Sequence, residues 1–432
     1  MNAQLFYVDL LLPMSHKEPL WDAYLFVVND RIAEFGKQSE LPLSLKSHSP
    51  KKLTDSVILP GFINSHVHLS YDNNYSSICD GQQIDWIEDL VERSRKFSPE
   101  KKLQVAKENI QSCIKAGTTF VVENTPFDET VEALNYSEIN SLVGIEVFGN
   151  DPLKSDENFE YFLAKLERLQ SLHPKLSFTL SPHSPYNVSD RLLQRIIDFS
   201  QKEGKKALIH LAETDFESDI IKTGEVPEGL KSFYKNLGVS EPSINSQKGM
   251  SSVEYMHSIG CLSHNLHATH LVKIRERDLA LLSLVGTSVS LCLRSNAFLA
   301  NGFPPLAKML EKELPVSFAT DGLSSNYDLS LLEEIKYAWF IAKSHGVNLK
   351  AEYLFESITS VPAKMFCLDR GAIENNRKAD FICYKIPQSL LKSLKTPKVC
   401  IYQFLLSNLS DEKLNEVWID GKKIFPRVSS TF

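Results

Sequence analysis

Residues 57–69 read VILPGFINSHVHL, an apolar, β-rich stretch that ends in two histidines separated by one residue. In a β-strand, residues two positions apart lie on the same face, so His66 and His68 point the same way. We therefore expect both imidazoles at the carboxyl end of a strand, where their nitrogens can bind one metal ion. The pair alone is weak evidence, because so short a motif also arises by chance. Two hydrogen-bonded structural histidines are the alternative.

The chain that follows alternates strand-like and helix-like segments, which is the pattern of parallel βαβ units. One helix is expected to begin after the N-cap Ser98, and another to end at Gly204. The strand candidates span residues 57–69, 118–123, 142–148, 176–181, 207–213, 268–272, 287–293 and 316–320. Eight βα units in roughly 300 residues predict an α/β fold, a (β/α)₈ TIM barrel, whose active site lies at the carboxyl ends of the strands.

Both ends of the chain read as short strands instead. Near the C-terminus, residues 417–419 and 423–425 flank the dipeptide Asp420-Gly421, which is a strong hairpin signal. We expect residues 1–58 and 370–432 to form one small β-sandwich domain. Residues 59–369 would then form the barrel as a metal-dependent hydrolase domain.

The composition limits the class of protein. Of 432 residues, 43% are hydrophobic and 23% charged, which fits a folded globular chain and excludes disorder as its main state. The net charge of -7 comes without a basic stripe, so we expect no nucleic-acid partner. Seven cysteines without a C-x-x-C pair indicate no disulfide framework and favour a cytoplasmic location. We also expect no membrane partner. The sequence is compatible with a homodimer.

Polar groups follow other predicted strands at the matching end. Strand 5 ends IHLAE with His210 and Glu213, strand 6 ends ATH with His270, and strand 8 ends ATDG with Asp321. Three imidazoles and one carboxylate suit one divalent metal ion, Zn²⁺ first and Fe²⁺ as the alternative. Water bound to such an ion has a pKa lowered from about 15.7 towards 7.

These groups also suggest roles in proton transfer. Asp321 would take the proton from the bound water, while Glu213 and His270 fit roles as general acid and as the group that orients hydroxide. A surface carboxylate and a core histidine are the alternatives for Glu213 and His270. Their joint occurrence at successive strand ends favours the functional interpretation.

The ordered motifs PGFINSHVHL, SPHSPYNVS, IHLAET, ATHLVK and ATDGLSSN resemble the amidohydrolase superfamily across essentially the whole chain. The similarity is to the branch of hydrolytic deaminases and chlorohydrolases that act on triazines, guanine, adenosylhomocysteine and related purines. The resemblance implies that the metal ligands are His66, His68, His210 and Asp321. It implies that the catalytic residues are Glu213, His270 and Asp321, and that His183 contacts the substrate. It also implies that water replaces the amine on a ring carbon.

Two absences favour a single metal ion. Strand 4, LSFTLS, offers no lysine of the kind that bridges two metals in binuclear members of the superfamily. The P-C-x-x-C signature of the cytidine-deaminase fold is missing as well.

The expected small-molecule substrate is a 6-aminopurine nucleoside, with 6-amino-6-deoxyfutalosine of menaquinone biosynthesis first. The segments CLRSN (292–296) and DGLSSNYDLSLL (321–332) are similar to deaminases of that substrate. Arg294 would bind the substrate tail, and an ordinary ion pair is its alternative. Adenosylhomocysteine, methylthioadenosine or adenosine come next, then guanine or triazine rings with a deaminase or chlorohydrolase activity. A catalytically silent binding barrel is the non-enzyme alternative.

Strand 6 departs from the family, which usually has A-H-C or V-H-N there. We assign His270 as the functional histidine and expect His264 and His267 to lie in a loop. Trp86 could form a wall of the pocket, but aromatic residues at such spacing are more often core residues, so Trp86 is not assigned to the site.

Overall fold

A computed structural model describes residues 2–15, 18–73, 83–237, 239–242, 244, 249–396 and 399–426. The strands in these residues are β1 (Ala3–Leu11), β2 (Leu20–Val28), β3 (Arg31–Lys37), β4 (Lys51–Pro60), β5 (Phe62–Val67), β6 (Thr118–Thr125), β7 (Asn140–Val147), β8 (Ser177–Pro182), β9 (Ala207–Leu211), β10 (Leu266–His270), β11 (Ser288–Leu291), β12 (Val316–Phe318), β13 (Phe381–Lys385), β14 (Leu414–Ile419) and β15 (Lys422–Phe425).

The α-helices in the same residues are α1 (Gln83–Lys96), α2 (Pro99–Lys115), α3 (Asp128–Asn135), α4 (Ser155–Leu172), α5 (Asp190–Glu203), α6 (Asp215–Thr223), α7 (Glu228–Leu237), α8 (Ser252–Ser258), α9 (Glu276–Val285), α10 (Leu293–Phe298), α11 (Leu306–Glu311), α12 (Leu331–Ser344), α13 (Ala351–Glu356), α14 (Ser360–Met365), α15 (Gln388–Leu394) and α16 (Ile401–Asn408). None of them combines the length and the apolar character that a membrane crossing requires.

Strands β5 to β12 form two four-stranded parallel sheets, ordered β5-β6-β7-β8 and β9-β10-β11-β12. Among the described residues no ladder joins the two sheets into a closed barrel. One backbone hydrogen bond crosses each seam at the carboxyl ends: His210 N–H donates to the carbonyl of His183 (3.0 Å), and Asp321 N–H to that of His66 (3.2 Å). The eight strand candidates are therefore confirmed in order, in an α/β fold of the TIM-barrel type.

The two chain ends build a single sheet of seven strands, ordered β15-β14-β13-β4-β1-β2-β3. The predicted hairpin at Asp420-Gly421 is present, and both residues have the positive φ of 48° and 71° that such a tight turn requires. A second sheet facing this one is not found in the described residues, so the β-sandwich is not confirmed. The domain boundaries remain predictions, and residues 427–432 of the predicted small domain lie outside the described residues.

The predicted first strand, 57–69, is two strands that meet at Gly61. Strand β4 pairs with β1 and β13 in the seven-stranded sheet, whereas β5 pairs with β6 in the barrel. A side chain at Gly61 would place its Cβ 2.2 Å from Oγ1 of Thr119, so only glycine fits where the chain passes between the sheets.

Helix limits follow the predicted caps. Ser98 caps α2 by accepting a hydrogen bond from the backbone N–H of Lys101, and Gly204 ends α5 in the left-handed conformation. After α12, residues 351–365 contain two short helices, α13 and α14.

The barrel strands have different interiors at their two ends. Near the amino ends the interior is apolar and includes Ile63, Phe120, Val122 and Leu208. On the outside, apolar residues of the strands pack against the surrounding helices in the main core of the molecule. Polar side chains dominate the interior towards the carboxyl ends, and a smaller buried polar group, His267 with Ser288 and Ser290, lies nearer the amino ends.

Candidate active site

Four of the predicted residues converge at the carboxyl ends of the strands. His66 and His68 extend from β5, His210 from β9 and Asp321 from just after β12. The Nε2 atoms of His66 and His68 lie 3.7 and 3.6 Å from Oδ1 of Asp321. The Nε2 atoms of His68 and His210 are 3.1 Å apart. All four side chains are buried.

The hydrogen bonds of two of these rings fix their tautomers. Nδ1–H of His68 donates to the carbonyl oxygen of Asn124 (2.8 Å), and Nδ1–H of His210 donates to that of His183 (2.7 Å). A carbonyl oxygen only accepts, so both Nδ1 atoms carry protons and the two Nε2 atoms keep their lone pairs. Lone pairs 3.1 Å apart repel unless a proton or a cation lies between them. The arrangement therefore fits a cation.

His66 has the same free end. Its Nε2 is buried and has no hydrogen-bond partner in the described residues. Burial, with the neighbouring His210 and His68, holds the pKa of His66 well below its ordinary value, so the ring is neutral. A buried nitrogen without a partner is costly, and a metal ion would supply one.

On its other side, His66 Nδ1 lies 3.0 Å from Nδ2 of Asn124 and 3.4 Å from Oγ1 of Thr269. Metal binding through Nε2 requires a proton on Nδ1 and an acceptor beside it. Ser181 can donate its hydroxyl proton to the carbonyl of Leu208 (3.2 Å) instead of to Asn124. The Asn124 amide is then free to turn its oxygen towards His66.

Asp321 is held in one orientation by three donors. Oδ2 accepts from the hydroxyls of Ser295 (2.7 Å) and Ser325 (3.1 Å), and Oδ1 accepts from the N–H of Gly322 (2.8 Å). Burial opposes ionisation, but the nearby His68 and His270 and the Ser295 hydrogen bond keep the pKa of Asp321 below its ordinary value. The group is thus a carboxylate at neutral pH.

Four residues at these strand ends have a left-handed backbone: Ala212 (φ 53°), His270 (φ 80°), Leu271 (φ 50°) and Asp321 (φ 59°). This conformation costs a non-glycine residue on the order of 1–3 kcal/mol, which the surrounding structure must offset. Backbone strain of this kind at the carboxyl ends of β9, β10 and β12 is consistent with a site that directs side chains into the barrel mouth.

Glu213 and His270 form a second pair beside the ligands. Nε2 of His270 lies 3.9 Å from Oε2 of Glu213, whose Oε1 accepts from Nδ2 of Asn301 (3.2 Å). Nδ1–H of His270 donates to Oδ1 of Asn296 (3.0 Å), so Nε2 presents a lone pair. Burial raises the pKa of Glu213 above its ordinary value, which favours a carboxyl group that can donate a proton.

A buried carboxylate holds the backbone at this pair. Glu217 accepts from the N–H groups of Ala212 (2.7 Å) and Glu213 (3.1 Å). Burial raises the pKa of Glu217 to about 7. It is a positioning residue, since its oxygens bond to the backbone that carries Glu213.

His183, from the loop after β8, has an oriented ring. Tyr234 donates its hydroxyl proton to Oδ1 of Asn187 (2.9 Å), which turns Nδ2 of Asn187 towards Nδ1 of His183 (3.1 Å). The amide donates, so Nδ1 of His183 accepts and the ring proton lies on Nε2. Burial lowers the pKa of His183 to about 3, so the ring is neutral. It presents an N–H donor beside the site.

A cavity of about 520 Å³ opens over these groups. Polar site residues form its floor, and its walls are mainly apolar and aromatic; the walls include Tyr71, Trp86, Ile87, Leu90, Val91, Phe148, Tyr186, Phe216, Leu230, Tyr234 and Val239. Trp86, predicted to be a core residue, lies in the wall and donates from Nε1 to the carbonyl of Ser324 (2.9 Å). A larger groove of about 1410 Å³ lies at the amino ends of the strands, and none of the four predicted ligands lines it.

The structure does not bring Arg294 to the cavity. The residue is 2% exposed and pairs with the carboxylates of Glu334 and of Asp328 (2.8 Å). This placement matches the alternative, an ion pair. The pair anchors α10 on α12, and α10 carries Ser295 and Asn296, the residues that orient Asp321 and His270.

The histidines near strand 6 divide differently from the prediction. His264 lies in the loop before β10, as expected, but His267 lies within β10. His267 is buried, with Nδ1 2.9 Å from Oγ of Ser288 and Nε2 2.7 Å from Oγ of Ser290. The prediction that His267 lies in a loop is wrong, because β10 begins at Leu266, two residues before the predicted start of this strand.

Sequence reasoning missed several polar residues of the site. Asn124, Ser295, Asn296 and Ser325 orient ligands or His270, and the buried Glu146 lies in the cavity floor. A signal existed for some of them, since CLRSN and DGLSSN were quoted as family-like segments. Only the charged residue of the first segment was interpreted.

The ligand atoms form three groups within 4.8 Å: His66 with His210 and His270, His66 with His68 and Asp321, and His68 with Glu146 and His210. The predicted set His66, His68, His210 and Asp321 is thus a nitrogen and oxygen donor set of the kind that binds Zn²⁺ or Fe²⁺. The fit rests on the lone pairs described above.

The chain is similar to known deaminases in sequence and in fold. The chain is 25% identical over 337 residues to an aminodeoxyfutalosine deaminase of Nitratiruptor sp., covering 78% of this chain and 80% of that protein. It is 25% identical over 416 residues to a 5-methylthioadenosine/S-adenosylhomocysteine deaminase of Carboxydothermus hydrogenoformans, covering 93% and 89%. A zinc-bound adenosine deaminase from Xanthomonas campestris has the same fold, with a TM-score of 0.79, 22% identity and coverage of 97% and 92%.

A model of the Amidohydrolase family matches residues 57–424, from the end of β4 to β15. The match includes all eight barrel strands and every predicted site residue, so the resemblance read from the motifs is confirmed. The chain belongs to the Amidohydrolase family.

Proposed function

We propose that this amidohydrolase is a metal-dependent hydrolytic deaminase of 6-aminopurine nucleosides, with 6-amino-6-deoxyfutalosine as the first substrate. The observation that carries the proposal is the convergence of His66, His68, His210 and Asp321 beside the Glu213 and His270 pair. One cluster thus offers a cation site and the other offers proton-transfer groups, under one cavity.

His66, His68, His210 and Asp321 would hold the metal ion. When bound, a divalent cation supplies a water molecule whose pKa is lowered towards 7, a nucleophile at neutral pH. Zinc is preferred because three imidazoles and a carboxylate suit it, and because the structurally similar adenosine deaminase from Xanthomonas campestris binds zinc. Iron fits the same donors and remains the alternative.

The residues around the ion would move the protons. Asp321, a carboxylate at neutral pH, accepts the proton that water loses, and the Nε2 lone pair of His270 orients the remaining hydroxyl. Glu213, whose raised pKa favours the acid form, donates to the ring nitrogen beside the amine-bearing carbon. The water oxygen bonds to that carbon, Asp321 passes its proton to the amine, and the carbon–nitrogen bond breaks so that ammonia leaves. The added hydroxyl returns a proton to Glu213 as the 6-oxo group forms. The products are the 6-oxo ring and ammonia.

The cavity suits a flat ring with an extended substituent. His183 offers an Nε2–H donor, which a purine ring nitrogen can accept, and Phe148 packs against the His183 ring with 4.7 Å between ring centroids. The aromatic and apolar walls would hold the ring and its tail. Guanine and triazines would leave much of the cavity of about 520 Å³ unfilled, so we rank them below the nucleosides as substrates.

The choice of nucleoside rests on the relatives. The aminodeoxyfutalosine deaminase of Nitratiruptor supports the first choice. The deaminase of Carboxydothermus supports methylthioadenosine or adenosylhomocysteine as the second candidate.

The test is a panel of four nucleosides given to zinc-loaded protein: 6-amino-6-deoxyfutalosine, adenosylhomocysteine, methylthioadenosine and adenosine. Ammonia release and loss of adenine absorbance are measured together. We expect turnover of at least one member, with the highest kcat/KM for 6-amino-6-deoxyfutalosine. A zinc-loaded protein silent on all four would contradict the proposal and favour a binding barrel.

A further inference from the structure

Glu146 is a charged residue of the cavity floor to which the mechanism above gives no role. It lies at the carboxyl end of β7, where its register partner is Ser181 on β8. Residues two apart on a strand share a face, and a Cβ at Gly144 would lie 2.7 Å from the Leu208 side chain inside the barrel. Glu146 therefore points into the barrel mouth and lines the cavity.

The other buried carboxylates nearby all have donors. Glu123 accepts from the N–H of Leu69, Glu217 from two backbone N–H groups, and Glu334 from Arg294. Glu146 is only 3% exposed, yet no hydrogen bond or ion pair of its carboxylate is found in the described residues. Its oxygens are not among the fully enclosed side-chain atoms that lack a partner, so they open to the cavity. Burial raises the pKa of Glu146, and a bound molecule that donates hydrogen bonds would stabilise its carboxylate.

The ligand geometry argues against a role as a fifth metal ligand. Glu146 lies within 4.8 Å of the ligand atoms of His68 and His210, but it shares no such group with His66 or Asp321. His66, His68, His210 and Asp321 already give four protein donors, one more than the usual three of a catalytic zinc site, and a water must bind as well. Glu146 therefore flanks the predicted ion on the cavity side.

A 6-aminopurine nucleoside carries hydrogen-bond donors in two places, the amine at the reacting carbon and the hydroxyls of the sugar. The reacting carbon belongs beside Glu213, His270 and Asp321, at or just after the carboxyl ends of β9, β10 and β12. Glu146 and His183 belong to β7 and the loop after β8, on the neighbouring side of the mouth. A carboxylate has two acceptor oxygens and can take both protons of a vicinal diol.

We propose that Glu146 binds the sugar of the substrate by accepting hydrogen bonds from its vicinal 2′- and 3′-hydroxyls. This inference rests on the proposed nucleoside deaminase function and names the part of the substrate that this residue selects. It makes the enzyme specific for ribonucleosides over analogues without these hydroxyls.

The experiment crosses two enzymes with two substrates. Wild type and Glu146→Gln are assayed on the most active nucleoside of the four-member panel and on its 2′,3′-dideoxy analogue. We expect Glu146→Gln to lower kcat/KM about 10- to 100-fold for the ribonucleoside, the effect of a hydrogen bond to a charged group, and less than about 3-fold for the analogue. Glu146→Asp, which keeps the charge but shortens the reach, should show the same selectivity.

Glu138→Gln is the matched control, because Glu138 is exposed at the opposite end of β7; it should change neither rate. Equal losses on both substrates would overturn the inference and point to a contact with the amine. Loss of metal from Glu146→Gln, measured by mass spectrometry, would overturn it in favour of a metal ligand. A wild type that is silent on the whole panel would instead contradict the proposed function itself.

Discussion

The Nε2 atoms of His68 and His210 face each other at 3.1 Å, although the residues are 142 positions apart in the chain. The Nδ1–H groups of His68 and His210 donate to the backbone carbonyls of Asn124 and His183. Both lone pairs are thereby directed at one point. Two lone pairs that meet at one point are the arrangement that a cation stabilises.

The first prediction concerns metal content. Purified wild type should contain about one equivalent of zinc or iron per chain, and His210→Ala should contain almost none, since removal of one ligand opens a four-donor site. His264→Ala is the control, because His264 lies exposed in the loop before β10, and it should keep the metal. Mass spectrometry of all three proteins measures the content. Equal metal in wild type and His210→Ala would contradict the ligand assignment.

Glu213 should act as the general acid. Glu213→Gln keeps the size of the side chain but cannot donate the acid proton, so kcat should fall about 10²- to 10⁴-fold with little change in KM. Asp215→Asn changes a carboxylate two residues away whose side chain is 81% exposed. It should leave kcat within about 2-fold, the scatter usual for exposed sites. Steady-state kinetics on the active nucleoside decide, and similar kcat values for the two variants would remove Glu213 from the mechanism.

The relay from Tyr234 through Asn187 should set the tautomer of His183. Asn187→Ala removes the donor to Nδ1 of His183, so both tautomers of the ring become populated. We expect kcat/KM to fall about 3- to 10-fold, as for one weakened hydrogen bond. Asn187→Asp has nearly the same shape but accepts, which pulls the ring proton to Nδ1 and removes the donor from the cavity. The loss should therefore be greater for Asp than for Ala. A smaller loss of kcat/KM in Asn187→Asp than in Asn187→Ala would show that Asn187 contributes packing and does not set the tautomer of His183.

Buried His267 should make stability depend on pH. Burial, with the charge of Lys206, lowers its pKa from 6.5 to about 3, so the folded chain binds fewer protons than the unfolded chain between these values. The stability from this group is complete above pH 6.5 and is lost as pH falls towards 3. From about pH 7.5 to about pH 5, wild type should lose about 2 kcal/mol more than His267→Asn does.

Urea unfolding of both proteins at both pH values measures this difference. The other buried histidines are common to wild type and variant, so their contributions cancel. Parallel losses in the two proteins would show that His267 is protonated in the folded chain.

The sequence was most informative where chemistry follows directly from a local pattern. The His66-x-His68 pair and the polar residues after the strands of His210, His270 and Asp321 needed only the two-residue period and the rule for barrel strand ends. Those residues converge as expected. The hairpin at Asp420-Gly421 was equally local.

The remainder depends on partners far away in the chain. Gly61 divides a continuous apolar run because Thr119 of another strand occupies the space of a side chain. The sequence predicts that Arg294 binds the substrate tail, because nothing near it indicates its ion-pair partner Glu334, which lies 40 residues further on. The orientation of His183 by Tyr234 is likewise a tertiary contact, and no spacing in the sequence indicates it.

The most direct test of the central claim is a zinc titration of metal-free wild type with ammonia release as the readout, on the active nucleoside of the panel. The rate should rise in proportion to added zinc and level off at about one equivalent per chain, as one four-donor site requires. A rate that is already maximal without metal, or that does not respond to zinc or iron at any ratio, would contradict the account.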